Sequence, residues 1–399
     1  MTARIYADHA ATTPTRPEAI EAMNAYLQAG AYNPSSRHAE GRRAKAALDG
    51  ARERVAALLG AKPREIVFTG GGSESDNLAI RGAARAARAR GRHVLSAATE
   101  HHAVLHALDM LRDDGFDVEI MAVDRDGRLD PERFVRALRP DTILASVMLA
   151  NNELGTLQPV RELAAAARAR GVVFHSDAVQ APGRVALDVR ALGVDLLSLS
   201  AHKFYGPHGV GVLYVREGTA LMGLIAGGGQ EFGLRAGTEN VAGIVGLAAA
   251  LELATAEQAL ETARLAALRD RFEETLRERI PGLQVNAAGA PRLPNLSSIS
   301  IPGADSEALT IRLDLEGVAV STGSACASGA AEQSHVLRAV GVPAGLATLR
   351  FSFGRSTGRQ EVDALLDMLP GVVSAVRVDT HSLGTKQRGP ATSRSEEPT

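Results

Sequence analysis

The amino-acid sequence predicts an α/β protein with a mostly parallel, seven-stranded central sheet and a smaller α+β domain after it. Short apolar runs alternate along the chain with helical stretches rich in Ala, Leu and Arg. Several of these runs are apolar almost throughout, which is typical of a parallel sheet covered on both faces. A long helical pattern then ends at Pro281-Gly282, and further strand-like runs follow it. These observations separate a large first domain from a second one.

Seven apolar runs are predicted to form the central sheet: Glu65–Thr69, His93–Ala97, Val118–Ala122, Thr142–Met148, Val172–His175, Leu196–Leu199 and Val210–Val215. Helix patterns lie between them at Ser73–Arg90, Ala103–Asp113, Pro131–Leu138 and Arg161–Arg170. Such alternation implies right-handed crossovers, with helices on both faces of the sheet. Ligands of these sheets bind beyond the carboxyl ends of the strands. Residues that follow the strands are therefore the first candidates for a site.

The second domain is predicted from a long helix and the strands after it. Between Asn240 and Ile280, apolar residues recur three or four positions apart, as on one face of a helix. From about Arg377 the chain is polar and aperiodic, and we expect a disordered tail there. The strands predicted for this domain are Ser297–Ile301, Val318–Ser321 and Thr348–Phe353.

Composition and charge indicate a soluble cytoplasmic enzyme. The chain has 399 residues, 45% of them apolar, and a formal net charge of −2, which argues against nucleic acid or an anionic membrane as the main partner. No secretory segment opens the sequence, and no run reaches the roughly 18 apolar residues of a membrane span. The single cysteine, Cys326, excludes an internal disulfide and a Cys-cluster metal site, and no metal site is predicted.

Lys203 follows an apolar strand and is surrounded in sequence by Ser, His and aromatic residues. Desolvation there would disfavour its charge, and a neutral amine is what Schiff-base chemistry requires. A lysine at a strand end is more often an exposed surface residue, so its interpretation depends on its neighbours in the fold.

Three other strand ends supply those neighbours. Gly70-Gly71-Gly72-Ser73 precedes a helix, where free N–H groups and the helix dipole favour an anion; an ordinary turn with Ser73 as N-cap and Asp76 near a capping box is the alternative. Asp177 could pair with a protonated pyridine nitrogen or cap a turn. His101 could stack on a ring or lie in a loop. Together the four strand ends predict one site.

Seven motifs carry a family resemblance: TGGGSESDN, TEHHAV, NNELG, HSDAVQ, SAHKFYGP, RAGTEN and STGSACASG. With the opening YADHAATTP and the YNPSSRHAEG stretch, they resemble the cysteine desulfurases of the NifS/IscS branch, which depend on pyridoxal 5'-phosphate (PLP). The resemblance extends to about residue 375. It implies the PLP-dependent transferase fold of type I, in its class V aminotransferase form. It places a large PLP-binding domain at residues 13–255, a small domain at 1–12 and 256–376, and a tail at 377–399.

The activity implied by the resemblance is the conversion of L-cysteine to L-alanine by a homodimer. Sulfur would pass to Cys326 as a persulfide and then to an acceptor protein, such as an iron–sulfur scaffold or a tRNA-thiolation protein. Lys203 would carry PLP, Asp177 would hold the pyridinium nitrogen, and His101 would stack on the ring and move protons. The other implied cofactor contacts are Gly72, Ser73, Asn152, Gln180, Ser200, His202 and, reaching across from the neighbouring subunit, Thr238.

Arg350 is implied as the clamp for the substrate carboxylate, with a structural ion pair as its alternative role and Arg355 as the competing residue. Asn33 is expected nearby. Three positions depart from the family pattern: Gly72-Ser73 stands in place of Ala-Thr, Val179 in place of threonine, and Phe232 in place of arginine. None of these changes removes a catalytic group.

Cys326 is flanked by small or polar residues and glycines, as suits a thiol that must meet a substrate and then present its sulfur outward. A lone cysteine is otherwise usually a buried small hydrophobe. Three rival functions remain: a small-molecule aminotransferase, which gives Cys326 no task; a selenocysteine lyase; and a PLP-bearing scaffold without activity, against which the intact set of Lys203, Asp177, Arg350 and Cys326 argues.

Overall fold

The computed structural model describes residues 4–30, 32–322 and 333–386. The strands are β1 (Ile5–Tyr6), β2 (Ile66–Thr69), β3 (His93–Ala97), β4 (Asp117–Met121), β5 (Thr142–Ser146), β6 (Val173–Asp177), β7 (Leu196–Ser200), β8 (Gly211–Val215), β9 (Gln284–Val285), β10 (Leu296–Ile301), β11 (Val318–Ala319) and β12 (Ala347–Ser352). The α-helices are α1 (Pro17–Gln28), α2 (Ala39–Leu59), α3 (Gly72–Ala86), α4 (His102–Asp113), α5 (Pro131–Ala137), α6 (Val160–Ala169), α7 (Val189–Leu192), α8 (Val241–Arg279), α9 (Ser306–Leu315), α10 (His335–Ala339) and α11 (Arg359–Lys386).

The predicted seven-stranded, mostly parallel sheet is confirmed. Its strand order is β2-β8-β7-β6-β5-β3-β4. Strands β3 to β7 pair in parallel, and β8 runs antiparallel to both of its neighbours, β2 and β7. The predicted strand bounds agree with the structure to within two residues. The apolar runs were reliable because strands covered on both faces carry apolar side chains at nearly every position.

The described residues form one hydrophobic core region around the central sheet and another in the part of the chain that follows it. The first packs apolar residues of the sheet against α2, α6 and the first half of α8, while α3 and α4 cover the other face of the sheet. The second lies between β10, β12, α9, α11 and the second half of α8. Strand β1 pairs in parallel with β11, so the N-terminal residues join this second part. Within the described residues, α8 is long and apolar enough to cross a membrane by length and composition, but its apolar residues pack into both cores.

The prediction of a disordered tail from Arg377 is wrong for its first ten residues. Helix α11 begins at Arg359 and ends at Lys386. Leu365, Leu369, Val373 and Val376 lie three or four positions apart and are buried in the second core, so the helix is held by tertiary packing and continues past them. Residues 387–399 lie outside the described part of the chain.

Candidate active site

A cavity of about 290 Å³ opens where the parallel strands end. Its walls come from the loops after β2, β3, β5, β6 and β7, together with Arg350 of β12 from the second core. The structure brings ten of the sequence-predicted residues together on these walls: Gly72, Ser73, His101, Asn152, Asp177, Gln180, Ser200, His202, Lys203 and Arg350.

Lys203 ends a single turn of 3-10 helix directly after β7. Its Nζ donates hydrogen bonds to the carbonyl oxygens of Ala10 (2.7 Å) and Ala11 (2.6 Å). Burial, together with the positive charges of Arg350 and Arg184, lowers the pKa of Lys203 to about 8. A useful fraction of this amine is therefore neutral near pH 7 and can act as a nucleophile or a base.

Asp177 is the last residue of β6, and its Oδ1 accepts a hydrogen bond from the Val179 N–H at 2.9 Å. Burial raises the pKa of Asp177 to about 6, and this rise is limited by the Val179 N–H and by the charge of Lys203. Asp177 is consequently a buried carboxylate that is still mainly ionised at neutral pH. It can hold a cationic ring nitrogen.

His101 is the N-cap of α4, and its Nδ1 accepts a hydrogen bond from the Ala103 N–H at 3.1 Å. Burial, followed by the charge of Lys203, lowers the pKa of His101 to about 4. The ring is neutral at physiological pH, and because Nδ1 is an acceptor, its proton lies on Nε2. His101 can thus present a neutral aromatic face and one N–H donor.

The N-terminus of α3 lies at the cavity, and the alternative interpretation of this turn, with Ser73 as N-cap, is wrong. The N-cap is Gly71, with φ 152° and ψ −175°, a backbone conformation that only glycine readily adopts. Ser73 lies in the first turn instead, where helical N–H groups lack intrahelical acceptors and attract anions. A Cβ on Gly72 would lie 2.8 Å from Cγ2 of Val179, so these two departures from the family pattern are in direct contact.

Arg350 is the better of the two candidate carboxylate clamps. Its side chain is buried: Nη2 donates to Asp8 Oδ1 (2.8 Å) and Nη1 to the Asn152 carbonyl oxygen (2.9 Å). Its buried Nε has no hydrogen-bond partner among the described residues. Arg355 instead pairs with Glu257 (3.2 Å) and does not line this cavity.

Gln180 presents a second unpartnered polar atom. Its Nε2 donates to the Ala10 carbonyl oxygen at 2.9 Å, whereas its Oε1 is buried and lacks a partner in the described structure. A buried amide oxygen without a partner is costly, so the wall of the cavity is matched to a polar ligand.

Three sequence-predicted residues are not among those that line this cavity. Thr238 and Asn33 are exposed, and Asn33 Oδ1 accepts a local hydrogen bond from the Ser35 N–H at 2.8 Å. Cys326 lies outside the described residues. Nine positions after it, His335 lines the cavity, and its Nε2 donates to the Glu100 carbonyl oxygen at 2.9 Å.

Five further polar residues of the cavity were missed: Asp76, Glu100, His102, Glu153 and His335. Glu100 directly follows β3, and its position at the end of a parallel strand was the signal that could have revealed it. Asp76 was interpreted only as part of a cap. In the described residues, no group of three or more His, Cys, Asp or Glu side chains is arranged to hold a metal ion.

Comparison with known proteins gives the same assignment as the motifs. The family described as Aminotransferase class-V matches residues 5–365. The cysteine desulfurase IscS of Dictyoglomus turgidum (strain DSM 6724 / Z-1310) is 48% identical over 379 residues, which are 94% of this chain and 96% of the relative. The cysteine desulfurase IscS of Methanosarcina thermophila is 46% identical over 375 residues, 94% of this chain and 93% of the relative.

Solved structures agree with this assignment. A NifS-like protein superposes with a TM-score of 0.87 at 36% identity, covering 93% of this chain and 100% of the other. The structure of SspA in complex with cysteine gives a TM-score of 0.78 at 35% identity, covering 88% and 98%. The chain belongs to the class-V aminotransferase family and, within it, to the cysteine desulfurases.

Proposed function

We propose that this protein converts L-cysteine to L-alanine, with PLP held on Lys203, and transfers the substrate sulfur to Cys326. The observation that carries the proposal is the meeting of Lys203, whose pKa is lowered to about 8, and a mainly ionised Asp177 in one cavity. An aminotransferase would need the same pair but leaves the single cysteine without a task. Membership of the cysteine desulfurases favours the first reading.

The residues present fit PLP. The N-terminus of α3, with Ser73, Ser200 and His202 beside it, suits the phosphate. Asp177 would pair with the ring nitrogen, and His101 would stack on the face of the ring. Gln180 and Asn152 would flank the ring. When bound, PLP supplies an electron sink for the substrate's carbon skeleton.

Four side chains would carry out the binding, proton-transfer and sulfur-transfer steps. Arg350 binds the substrate carboxylate, and neutral Lys203 takes the proton from Cα. His101 moves a proton at the substrate sulfur through Nε2. The Cys326 thiolate attacks that sulfur, the Cβ–S bond breaks with its electron pair going to the carbon skeleton, and Cβ gains a proton. One L-cysteine and one thiol thus give one L-alanine and one persulfide, so no outside oxidant is needed.

The decisive experiment measures L-alanine and protein persulfide together from L-cysteine, with thiol kept limiting. Equal initial amounts of the two products support the proposal. Loss of PLP absorbance that depends on a keto acid, without sulfur release, would identify an aminotransferase. Faster turnover of L-selenocysteine than of L-cysteine would identify a selenocysteine lyase, and no turnover would leave a scaffold without activity.

Arg350→Gln is expected to raise the KM for L-cysteine by about tenfold to a hundredfold, because a charge-assisted hydrogen bond to the substrate is lost. PLP content should stay near that of the wild type, since Arg350 is placed at the substrate end. Arg355→Gln is the matched control and should change KM by less than about twofold. Steady-state kinetics check both, and equal effects of the two substitutions would contradict the assignment of Arg350.

We also propose a two-fold homodimer in which Thr238 of the partner subunit completes the phosphate site. Thr238 and Asn33 are exposed, and their neighbours Glu239 and Pro34 line a second open cavity of about 500 Å³. Phe232 lines it too and is 53% exposed, on a backbone with φ 60°. The buried Arg52–Glu231 ion pair (2.6 Å) fixes this loop. Exposed apolar residues lie on α1 and in the same loop region: Ile20, Leu27, Met222 and Ile225.

Subunit complementation tests this arrangement. Lys203→Ala and Thr238→Ala subunits, mixed and allowed to exchange, should regain wild-type PLP affinity in about a quarter of all sites, since half of the dimers are mixed and each holds one intact site. If Thr238 acts within its own chain, mixing restores no intact site. Sedimentation showing a fully active monomer would contradict the dimer itself.

The remaining expectations stand as proposals. The two cores support a large domain at 13–255 and a small domain at 1–12 and 256–376. The acceptor of the persulfide would be a protein, such as an iron–sulfur scaffold, and the near-neutral charge favours a cytoplasmic enzyme without direct nucleic-acid or membrane binding.

A further inference from the structure

A row of buried polar side chains crosses the central sheet on one face. Ser146 of β5 pairs in register with His175 of β6, and Asp177 of β6 pairs with Ser198 of β7. The His175 ring bonds on both sides: Nδ1 lies 2.8 Å from Ser146 Oγ and Nε2 lies 2.9 Å from Ser198 Oγ. Asp177, the residue that faces the ring nitrogen in the proposed site, lies on the same face of the sheet, two residues after His175 and in register with Ser198.

Asp76 of α3 lies against this row. It is 1% exposed and lines the cavity, and its Oδ1 is 3.6 Å from His175 Nε2 with no hydrogen-bond partner in the described part of the chain. Ser198 Oγ lies 2.9 Å from the same His175 nitrogen. Since Ser198 is also the register partner of Asp177, Asp76 lies against the network that borders Asp177.

Two buried carboxyl groups whose charges interact disfavour each other's ionisation. Burial, and then the charge of Asp177, raises the pKa of Asp76 well above its ordinary value. His175 supplies no cation, because burial lowers its pKa to about 3. Lys203 lowers the pKa of Asp177, so Asp177 is the carboxyl of the two that is favoured to carry the charge.

Glu100 repeats the pattern on the other side. It is fully buried, its Oε1 accepts a hydrogen bond from the Met148 N–H at 2.8 Å, and its Oε2 lacks a partner among the described residues. Burial raises the pKa of Glu100 well above its ordinary value, and the charge of Asp177 adds to the rise. Burial thus disfavours the charged form of both Asp76 and Glu100, the two acids whose pKa is also raised by the charge of Asp177.

We propose that Asp76 is a positioning residue: packed against His175, it keeps the Ser198–His175 network in place beside Asp177, and so helps to fix Asp177 for a cationic ring nitrogen. The inference rests on the proposed function for the identity of the ligand. The proposed role requires a side chain at position 76 that is polar but uncharged. An amide meets this requirement, and an alkyl group does not.

The first test compares Asp76→Asn with Asp76→Leu in the purified apoprotein, with PLP as the probe. The Asn variant should bind PLP within about threefold of wild type, whereas the Leu variant should bind about tenfold to a hundredfold more weakly, the loss expected when buried polar groups are left without a polar neighbour. Glu100→Gln is the matched amide control and should resemble Asp76→Asn. Failure of Asp76→Asn to bind, or normal binding by a folded Asp76→Leu, would overturn the proposal.

The second test follows thermal unfolding of the apoprotein with pH. A carboxyl whose pKa is raised in the folded state is protonated there while the unfolded chain loses its proton, so it destabilises the fold increasingly as pH rises above the unfolded pKa. The Tm advantage of Asp76→Asn over wild type should therefore grow between pH 5 and pH 8. A constant difference would mean that Asp76 is ionised in the folded state and would overturn the inference.

These readouts separate the inference from the proposed function. Wild-type protein that binds no PLP, or that binds it without producing alanine, refutes the proposed function. The pH dependence of apoprotein stability would still report on Asp76 in that case. Conversely, an active wild-type enzyme whose Asp76→Asn variant loses PLP refutes only the inference.

Discussion

Lys203→Ala is expected to abolish covalent attachment of PLP and to lower alanine production by at least about a thousandfold. The substitution removes both the amine that bonds to the cofactor aldehyde and the base that takes the Cα proton, and a positioned base alone contributes about 10²- to 10⁴-fold. Borohydride reduction followed by peptide mass analysis should locate PLP on Lys203 in the wild type and on no peptide of the variant.

The matched control is Lys62→Ala. Lys62 is an exposed lysine paired with Glu217 and is not among the residues that line the cavity, so its loss should leave PLP content and turnover near wild type. Circular dichroism should show that both variants are folded. Reduction that traps PLP on a different lysine in an active Lys203→Ala enzyme would contradict the assignment.

The pKa of Lys203, about 8 in the apoprotein, sets the pH dependence of this attachment. Only the neutral amine reacts, so the rate of PLP attachment should rise about tenfold per pH unit below pH 8 and level off above it. The plateau begins near pH 8 because the pKa of Lys203 is lowered. With an ordinary lysine, the rate would continue to rise up to about pH 10.

The central sheet and most of the cavity could be predicted from the sequence because both depend on where the buried parallel strands lie and end. Apolar runs identify buried parallel strands, and the carboxyl ends of those strands meet at one edge. Lys203, Asp177 and His101 each follow such a strand, and the structure places all three on one cavity. Site residues that lie at the ends of strands could therefore be predicted from the local sequence.

Residues whose role depends on tertiary contacts could not be predicted from the sequence. Asp76 looks like a cap in sequence, and only the packing of α3 on the sheet shows that it is buried beside His175. Helix α11 continues to Lys386 after the last of its residues in the second core, Val376, and the local polarity of this stretch does not reveal that helix. Thr238 is exposed on its own chain, and the role proposed for it requires a second copy.

Cys326→Ala should separate sulfur transfer from cofactor binding. Lys203, Asp177 and the phosphate cradle are unchanged in this variant, so PLP content and the spectral response to L-cysteine should match those of the wild type. Persulfide should be absent, because the chain contains no other thiol. Alanine production should fall by at least about a hundredfold, the scale expected when the nucleophile of a covalent step is removed.

The alternative, that Cys326 is only a packing residue, predicts a different outcome. Removing one sulfur atom would then cost about 1 kcal/mol of stability and leave turnover near normal. Ser328→Ala, two positions away in the same segment, is the matched control and should keep both persulfide and alanine production. Added dithiothreitol would attack the substrate sulfur directly, so thiol must be limiting. Alanine formation by Cys326→Ala at the wild-type rate under these conditions would refute the sulfur step while leaving PLP on Lys203 intact.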